Sequence, residues 1–364
     1  MARERQLIFV LGMHRSGTSA VTRLLNLLGA GLGHGLLEAQ KDVNELGFWE
    51  NEGVVRLDES ILRNLDSHWF DFREYPQQWW LSSIFEDSRS RIRDILNCEF
   101  ADSALSAIKD PRLCRLLPVW LEEVRQEGIS HSCLMVLRNP AEVARSLEKR
   151  DGIDRDAACY LWLIHVLDAE FYSRGMPRAL VSYDQVLSDW RSCAVRMEKD
   201  LGVSWPILSE TVEGRIDRAL RSDLRHFTAD NGTQNPGLLS DLSQEIYRRM
   251  TTEPLSGNES YLDAVRQDLY RSMASCGELC GIVYRTNRSL LEERSRLTEI
   301  GGQHAKALEV IRTREEQLSE VQEQLRKLGS EHSYALEVIR ERDRTLDTIR
   351  SHWSWYLVRL LNRG

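Results

Sequence analysis

Residues 7–19 read Leu7-Ile8-Phe9-Val10-Leu11-Gly12-Met13-His14-Arg15-Ser16-Gly17-Thr18-Ser19. The five apolar residues that open this run fit a strand covered on both faces. Gly12 and Gly17 bracket the turn that follows, where glycine permits a tight bend and close approach of the backbone. An amphipathic helical pattern then runs over 19–28. A strand, a glycine-bearing turn and a helix N-terminus together present unpaired amides and the positive end of a helix dipole. That arrangement takes phosphate or sulfate oxygens without a large net charge. Thr18 and Ser19 add hydroxyl donors, and Arg15 places a cation inside the loop.

The loop departs from the nucleotide-triphosphatase pattern G-x-x-x-x-G-K-[ST] in one respect that matters. Both glycines match, but Thr18 stands at the lysine position. A triphosphatase also needs an aspartate at the end of a neighbouring strand to hold magnesium. Here the apolar run over 132–137 ends in Arg138, the opposite charge. The loop suits an anion, whereas the residues that serve magnesium are missing, so no metal is expected. A nucleotide kinase-like enzyme on the same scaffold, or a nucleotide-binding scaffold working through its C-terminal helix, are the alternatives.

Outward from the loop, short apolar runs alternate with helical patterns, as a parallel sheet with helices on its faces requires. Strands are expected over 7–11, 103–108, 132–137 and 178–181. Helices are expected over 19–28, 113–126, 141–149, 183–187 and 191–201. The class is α/β: a P-loop-type three-layer domain with a central parallel sheet, assigned to 1–228. Around 230–240 the chain turns rich in Asn, Gly, Pro and Ser, and 229–261 is assigned as a linker. Uninterrupted helix follows over 262–350, and 351–364 forms an aromatic and apolar tail.

The chain has 364 residues, a formal charge of −8, 42% hydrophobic and 29% charged residues. That is enough apolar content for a sizeable core and too much charge for a membrane protein. The segment 285–350 holds 13 basic and 13 acidic residues, so the acidity lies toward the N-terminus and general nucleic-acid binding is disfavoured. The seven cysteines are scattered and odd in number. Cys276 and Cys280 share a helix face, but no histidine nearby suggests zinc, and a reducing compartment follows. The basic start runs into apolar residues that stop at His14-Arg15 without a cleavage pattern, and no stretch reaches transmembrane length. A soluble, cytoplasmic protein is expected.

A second motif narrows the function. Val136-Leu137-Arg138-Asn139-Pro140-Ala141-Glu142-Val143-Ala144-Arg145-Ser146-Leu147 reads as a strand end, a turn and a helix. Together with the first loop it resembles the sulfotransferases that use 3′-phosphoadenosine 5′-phosphosulfate (PAPS), particularly their bacterial carbohydrate-type branch. The resemblance covers roughly residues 5–228. It implies that the loop residues Gly12, His14, Arg15, Ser16, Gly17, Thr18 and Ser19 hold the 5′-phosphosulfate. It implies further that Arg138 and Ser146, eight positions apart, hold the 3′-phosphate. Lys109-Asp110-Pro111-Arg112 is similar to the family segment whose lysine reaches the transferring sulfuryl group, and Tyr183-Asp184 to a tyrosine–acidic pair near the nucleotide. A looser match, Asp217 to His226, is similar to a basic segment closing over the 3′-phosphate, with a solvated helix face as the competing reading.

Sulfuryl transfer is an in-line displacement in which the protein supplies positioning and electrostatic stabilisation. Arg15 and Lys109 are the expected catalytic cations. Arg15 stands where the family often has lysine, which keeps the charge in a planar donor fork. The acceptor hydroxyl must lose its proton, and relatives use histidine or glutamate. Asn44-Glu45-Leu46-Gly47-Phe48-Trp49-Glu50 resembles a segment of the bacterial branch, which makes Glu50 the candidate base, with Glu45 in reserve and His14, His34 and His68 behind it. Aromatic residues between Trp69 and Trp80 suit either an acceptor lid or ordinary core. The acceptor implied by the resemblance is a hydroxyl on a carbohydrate or glycoconjugate.

In the C-terminal third, steps of seven from Val283 give Leu290, Leu297, His304, Ile311, Leu318, Leu325, His332, Ile339, Leu346, Trp353 and Leu360. Ala307-Leu308-Glu309-Val310-Ile311-Arg312 recurs 28 residues later, starting at Ala335. A sustained seven-residue ladder between charges of both signs is a coiled-coil signal. The row four residues on is poor, with Glu315, Gln322, Gly329 and Asp343. A homo-oligomer through this coiled coil is expected. Trp353, Trp355 and Arg359 in the tail also suit peripheral contact with a membrane surface or a partner enzyme.

Overall fold

The computed structural model describes residues 5–37, 47–207, 209–220 and 237–362. They belong to two compact units, Met1–Tyr284 and Arg285–Gly364. The first is built on a four-stranded sheet of β1 (Gln6–Leu11), β2 (Leu105–Lys109), β3 (Ser130–Leu137) and β4 (Arg178–Ser182). All pairings are parallel, in the order β2-β1-β3-β4. Each strand lies within two residues of its expected bounds, because apolar runs buried on both faces leave little choice of register.

Helices cover both faces, which gives the three-layer α/β architecture. On one face Ile8, Val10, Val136 and Val181 share a core with α1 (Thr18–Leu27), α7 (Tyr183–Ser188), α8 (Trp190–Leu201) and α9 (Glu210–Ala219). On the other, Phe9 meets Trp120 of α4 (Leu113–Gln126) edge to face, with centroids 6.5 Å apart. Beside α4 packs α6 (Arg155–Tyr172), which buries every residue from Ala158 to Glu170. A helix buried all round belongs inside a protein, and α6 is the hub of its layer. Around these two lie α2 (Glu52–Asn64), α3 (Glu86–Cys98) and α5 (Pro140–Asp151).

The linker expected over 229–261 is corrected here. Residues 221–236 lie outside the described part, but α10 (Leu238–Thr252) and α11 (Glu259–Ser275) both pack on α6. Ile246, Met250, Leu262 and Leu269 are buried in those contacts. Beneath α11, Asp168 of α6 accepts from Arg266 Nε at 2.6 Å, Tyr270 Oη at 2.6 Å and Arg115 Nε at 3.2 Å. A buried carboxylate needs such partners, so α11 is a structural part of the first unit. A linker reaching to 261 overlooked the helical spacing of Ile246 and Met250.

The last element, α12, is a single helix over Gly277–Leu361. The uninterrupted helix expected over 262–350 is corrected at both ends: α11 closes at Ser275, before α12 begins, and α12 runs on through most of the stretch assigned to a separate tail. Among the described residues no helix is long and apolar enough to cross a membrane.

Candidate active site

The chain leaves β1 toward β2 on one side, and β3 lies on the other. In open parallel sheets the crevice for ligands opens at such a switch point, beyond the carboxyl ends of the strands. Gly12 to Ser19, Lys109 and Arg138 all emerge there, because Val10 lies opposite both Lys109 of β2 and Leu134 of β3.

The loop is tightly cradled. A Cβ on Gly12 would stand 2.7 Å from the Val136 carbonyl oxygen, and one on Gly17 would stand 2.2 Å from Cδ2 of Tyr183. Gly17 also sits in the left-handed region at φ 84° as the N-cap of α1. Arg15 shares that region at φ 68°, a conformation that costs a non-glycine residue about 1 kcal/mol or more and is typical of functional sites. Ser16 Oγ and His14 Nε2 are buried without a hydrogen-bond partner in the protein.

Two groups of side chains converge on this loop. In the first, Arg15 Nε donates to Ser146 Oγ of α5 at 2.8 Å. Arg138 Nη1 donates to the Arg15 carbonyl at 3.2 Å, and Arg138 Nε to Glu142 at 2.8 Å. The Arg138 guanidinium lies 5.1 Å from the Tyr183 ring centroid. Burial first, then Arg150 and Arg138, holds the Arg15 guanidinium below its usual value. In the second group, Lys109 Nζ is paired with Glu50 Oε1 and donates to Ser19 Oγ and to the Phe48 carbonyl, both at 3.3 Å. Lys109 and Glu50 are both buried. Burial pushes the Glu50 carboxyl above its ordinary value, although Lys109 pulls it back.

A supporting layer holds the second group in place. Asp110 accepts from Arg112, whose guanidinium reaches Glu59 of α2 at 2.8 Å. The same α2 is capped by Asn51, which accepts from the Val54 amide directly after Glu50. His14 stacks on Trp69 at 4.5 Å, and burial followed by Arg150 holds its imidazole well below the usual range, hence neutral near pH 7. From the aromatic segment Trp69 reaches the loop in this way, while Tyr75 and Trp79 pack edge to face, and Trp79 in turn meets Phe85. His34 stands apart, paired with Asp102 at 3.3 Å. Glu45 and residues 221–226 lie outside the described residues, and Asp217 is taken up by Arg191 and Trp190.

The structure therefore unites Arg15, Ser16, Gly17, Ser19, Glu50, Lys109, Arg138, Ser146 and Tyr183 around one loop. Sequence reasoning missed the Phe48 carbonyl, which carries no side-chain signature, and the link from Arg15 to Ser146. It also missed Asp110 and Glu59 as the partners of Arg112. Among the described residues no cluster of metal-ligating side chains occurs.

No protein-family model and no curated protein sequence matches this chain. Solved structures similar to it include three sulfotransferases or sulfotransferase domains. A sulfotransferase domain from the Synechococcus olefin synthase is 17% identical, covering 68% of this chain and 96% of that one, at a TM-score of 0.37. A sulfotransferase domain from the curacin biosynthetic pathway is 15% identical, covering 72% and 97%, at 0.32. A mouse sulfotransferase complexed with PAP is 14% identical, covering 81% and 90%, at 0.33. At such identities and TM-scores no activity transfers by likeness, and function must be argued from the residues of the site.

Proposed function

We propose that this protein is a sulfotransferase that moves a sulfuryl group from PAPS to a hydroxyl of a carbohydrate or glycoconjugate. The observation that carries the reading is the meeting of two motifs, with Arg15 of the glycine loop bonded to Ser146 and Arg138 beside them. A glycine loop alone suits any phosphate. Adding an arginine and a serine one crevice away suits a nucleotide with a second phosphate set apart from the first.

The residues fit such a ligand. The loop leaves no room for a Cβ at Gly12 or Gly17, and it buries a hydroxyl and an imidazole nitrogen that have no partner within the protein. The amides of Gly17 to Ser19, at the N-terminus of α1, would hold the 5′-phosphate side, the Ser16 amide donating to the Met13 carbonyl at 3.1 Å. Arg138, Ser146 and Tyr183 would hold the 3′-phosphate side, with Arg15 bridging toward the transferred group. PAPS supplies the activated sulfuryl group. Lys109 and Ser19 would stabilise oxygens on which negative charge grows, an effect strengthened by burial. Glu50, whose carboxyl burial raises, would take the proton of the acceptor hydroxyl.

Turnover of PAPS with a carbohydrate acceptor, measured beside affinity for adenosine 3′,5′-bisphosphate, tests this division of roles. Lys109→Ala is expected to lower turnover about a hundredfold or more with bisphosphate affinity nearly unchanged. Glu50→Gln is expected to do the same to turnover. A collapse of affinity in step with turnover would show that Lys109 serves nucleotide binding, and a fully active Glu50→Gln enzyme would remove Glu50 as the base.

A further inference from the structure

The helix α12 presents a long apolar seam that nothing in its own unit covers. Leu297, Ile311, Leu318, Leu325, Ile339 and Leu346 on the seven-residue ladder are each more than half exposed. The row four residues on is polar, but the row three residues on is not. It carries Ile300, Val321, Leu328 and Ile349, with Ala307 and Ala335 between them. Rows three and four apart are the two core positions of a heptad, so α12 has both halves of a coiled-coil seam. The seam widens where Leu308 and Val310, and again Leu336 and Val338, flank it, at 53%, 61%, 42% and 38% exposure. Between Leu297 and Ile349 four polar residues interrupt it, His304, Arg314, His332 and Arg342, and nearer the start of the helix Thr286 and Glu293 stand on the second row.

We propose that α12 pairs with α12 of a second copy of this chain, antiparallel, about a two-fold axis crossing the helix at Glu323. The polar residues and the flanks decide the orientation. A parallel, in-register pair would stack Arg314 on Arg314 and Arg342 on Arg342, burying like charges together. It would also set the apolar flank Val310 against Glu315 and Val338 against Asp343. The antiparallel pair avoids all four conflicts. Arg314 then faces His332 of the second copy, and Arg342 faces His304, so each guanidinium meets an imidazole. Ala307 faces Ile339, and Ala335 faces Ile311, which joins small to large. On the flanks, Leu308 meets Leu336 and Val310 meets Val338.

A two-fold interface must be self-complementary, with residue i on j and j on i, and this helix satisfies that requirement in its core and on its flanks. The overlap about Glu323 runs from Arg285 to Leu361. Those are the first residue of the second compact unit and the last residue of the helix. An isolated helix of this kind gains little from intrinsic propensity in water, whereas a second copy covers the whole seam.

The full chain is tested by sedimentation equilibrium and by distances between nitroxide labels, with Cys98, Cys276 and Cys280 replaced by serine. Labels are carried on Glu309→Cys or Glu323→Cys, both outside the seam. A dimer is expected, with a label separation of roughly 40 Å or more for position 309 and a short one for position 323, from a rise of about 1.5 Å per residue. Val321→Asp, on the seam, is expected to weaken association at least a hundredfold while the catalytic unit stays folded. A monomer at tens of micromolar, another stoichiometry, short separations at both positions, or a Val321→Asp protein that dimerises normally would each overturn the proposal.

Discussion

Replacing Lys109 with methionine keeps most of the side-chain volume and removes the ammonium that faces Glu50. Lys109 is 4% exposed and Glu50 7%, so the carboxylate left behind has little access to water. Breaking a buried pair in this way costs about 3–5 kcal/mol while the remaining partner stays charged. The cost depends on pH, and its direction follows from Glu50. Burial already raises that carboxyl, Lys109 opposes the rise, and loss of Lys109 therefore raises it further. In the variant the folded chain keeps a proton that the unfolded chain has released, so its stability falls as pH rises through that window. The deficit against the native protein is thus small near pH 5 and full near pH 8, at about 1.4 kcal/mol for each unit by which the carboxyl rises. Urea unfolding at both pH values, read through tryptophan fluorescence, measures it, since Trp120 and Trp162 are fully buried in this unit. A second change, Glu50→Gln, should restore most of the stability at pH 8. An equal deficit at both pH values, or a double variant as unstable as the single one, would refute the reasoning.

Gly17→Ala places a methyl where Tyr183 already stands and holds alanine at a left-handed φ, so it should weaken binding of adenosine 3′,5′-bisphosphate at least tenfold in calorimetric titration. His165 lies inside α6 and is held down to about 3, first by burial and then by Arg115. The unfolded chain binds this proton below about pH 6.5 and the folded chain does not, so stability is lost as pH falls from there toward 3. His165→Gln should make that acid slope shallower by about one proton, or about 1.4 kcal/mol per pH unit, in urea unfolding between pH 4 and 6.

The parts of this protein legible in the sequence are those whose signal is local. Four apolar strands, α1, α4 and the short helix at Tyr183 follow from period and punctuation within a dozen residues. The glycine loop was legible because its residues are contiguous, and Arg138 with Ser146 because strand end and helix keep a fixed spacing. What escaped depends on contacts between distant segments. The bond from Arg15 to Ser146 spans 131 positions, and the Phe48 carbonyl that receives Lys109 looks like any other peptide group. No helix was assigned over 155–172, because α6 is buried on every side and its apolar residues do not mark out one face. The apolar row three residues on from the ladder in α12 was hidden by its alanines and by Arg314 and Arg342.

Calorimetric titration of the full chain with adenosine 3′,5′-bisphosphate, with AMP, and with ATP plus magnesium bears most directly on the proposed activity. On the proposed reading, Arg138 and Ser146 would give the 3′-phosphate two charge-assisted hydrogen bonds at roughly 1.5–3 kcal/mol each. The bisphosphate is therefore expected to bind at least tenfold more tightly than AMP, and Arg138→Gln with Ser146→Ala should erase the difference. Equal affinity for bisphosphate and AMP, or tightest binding of ATP with magnesium, would contradict the assignment.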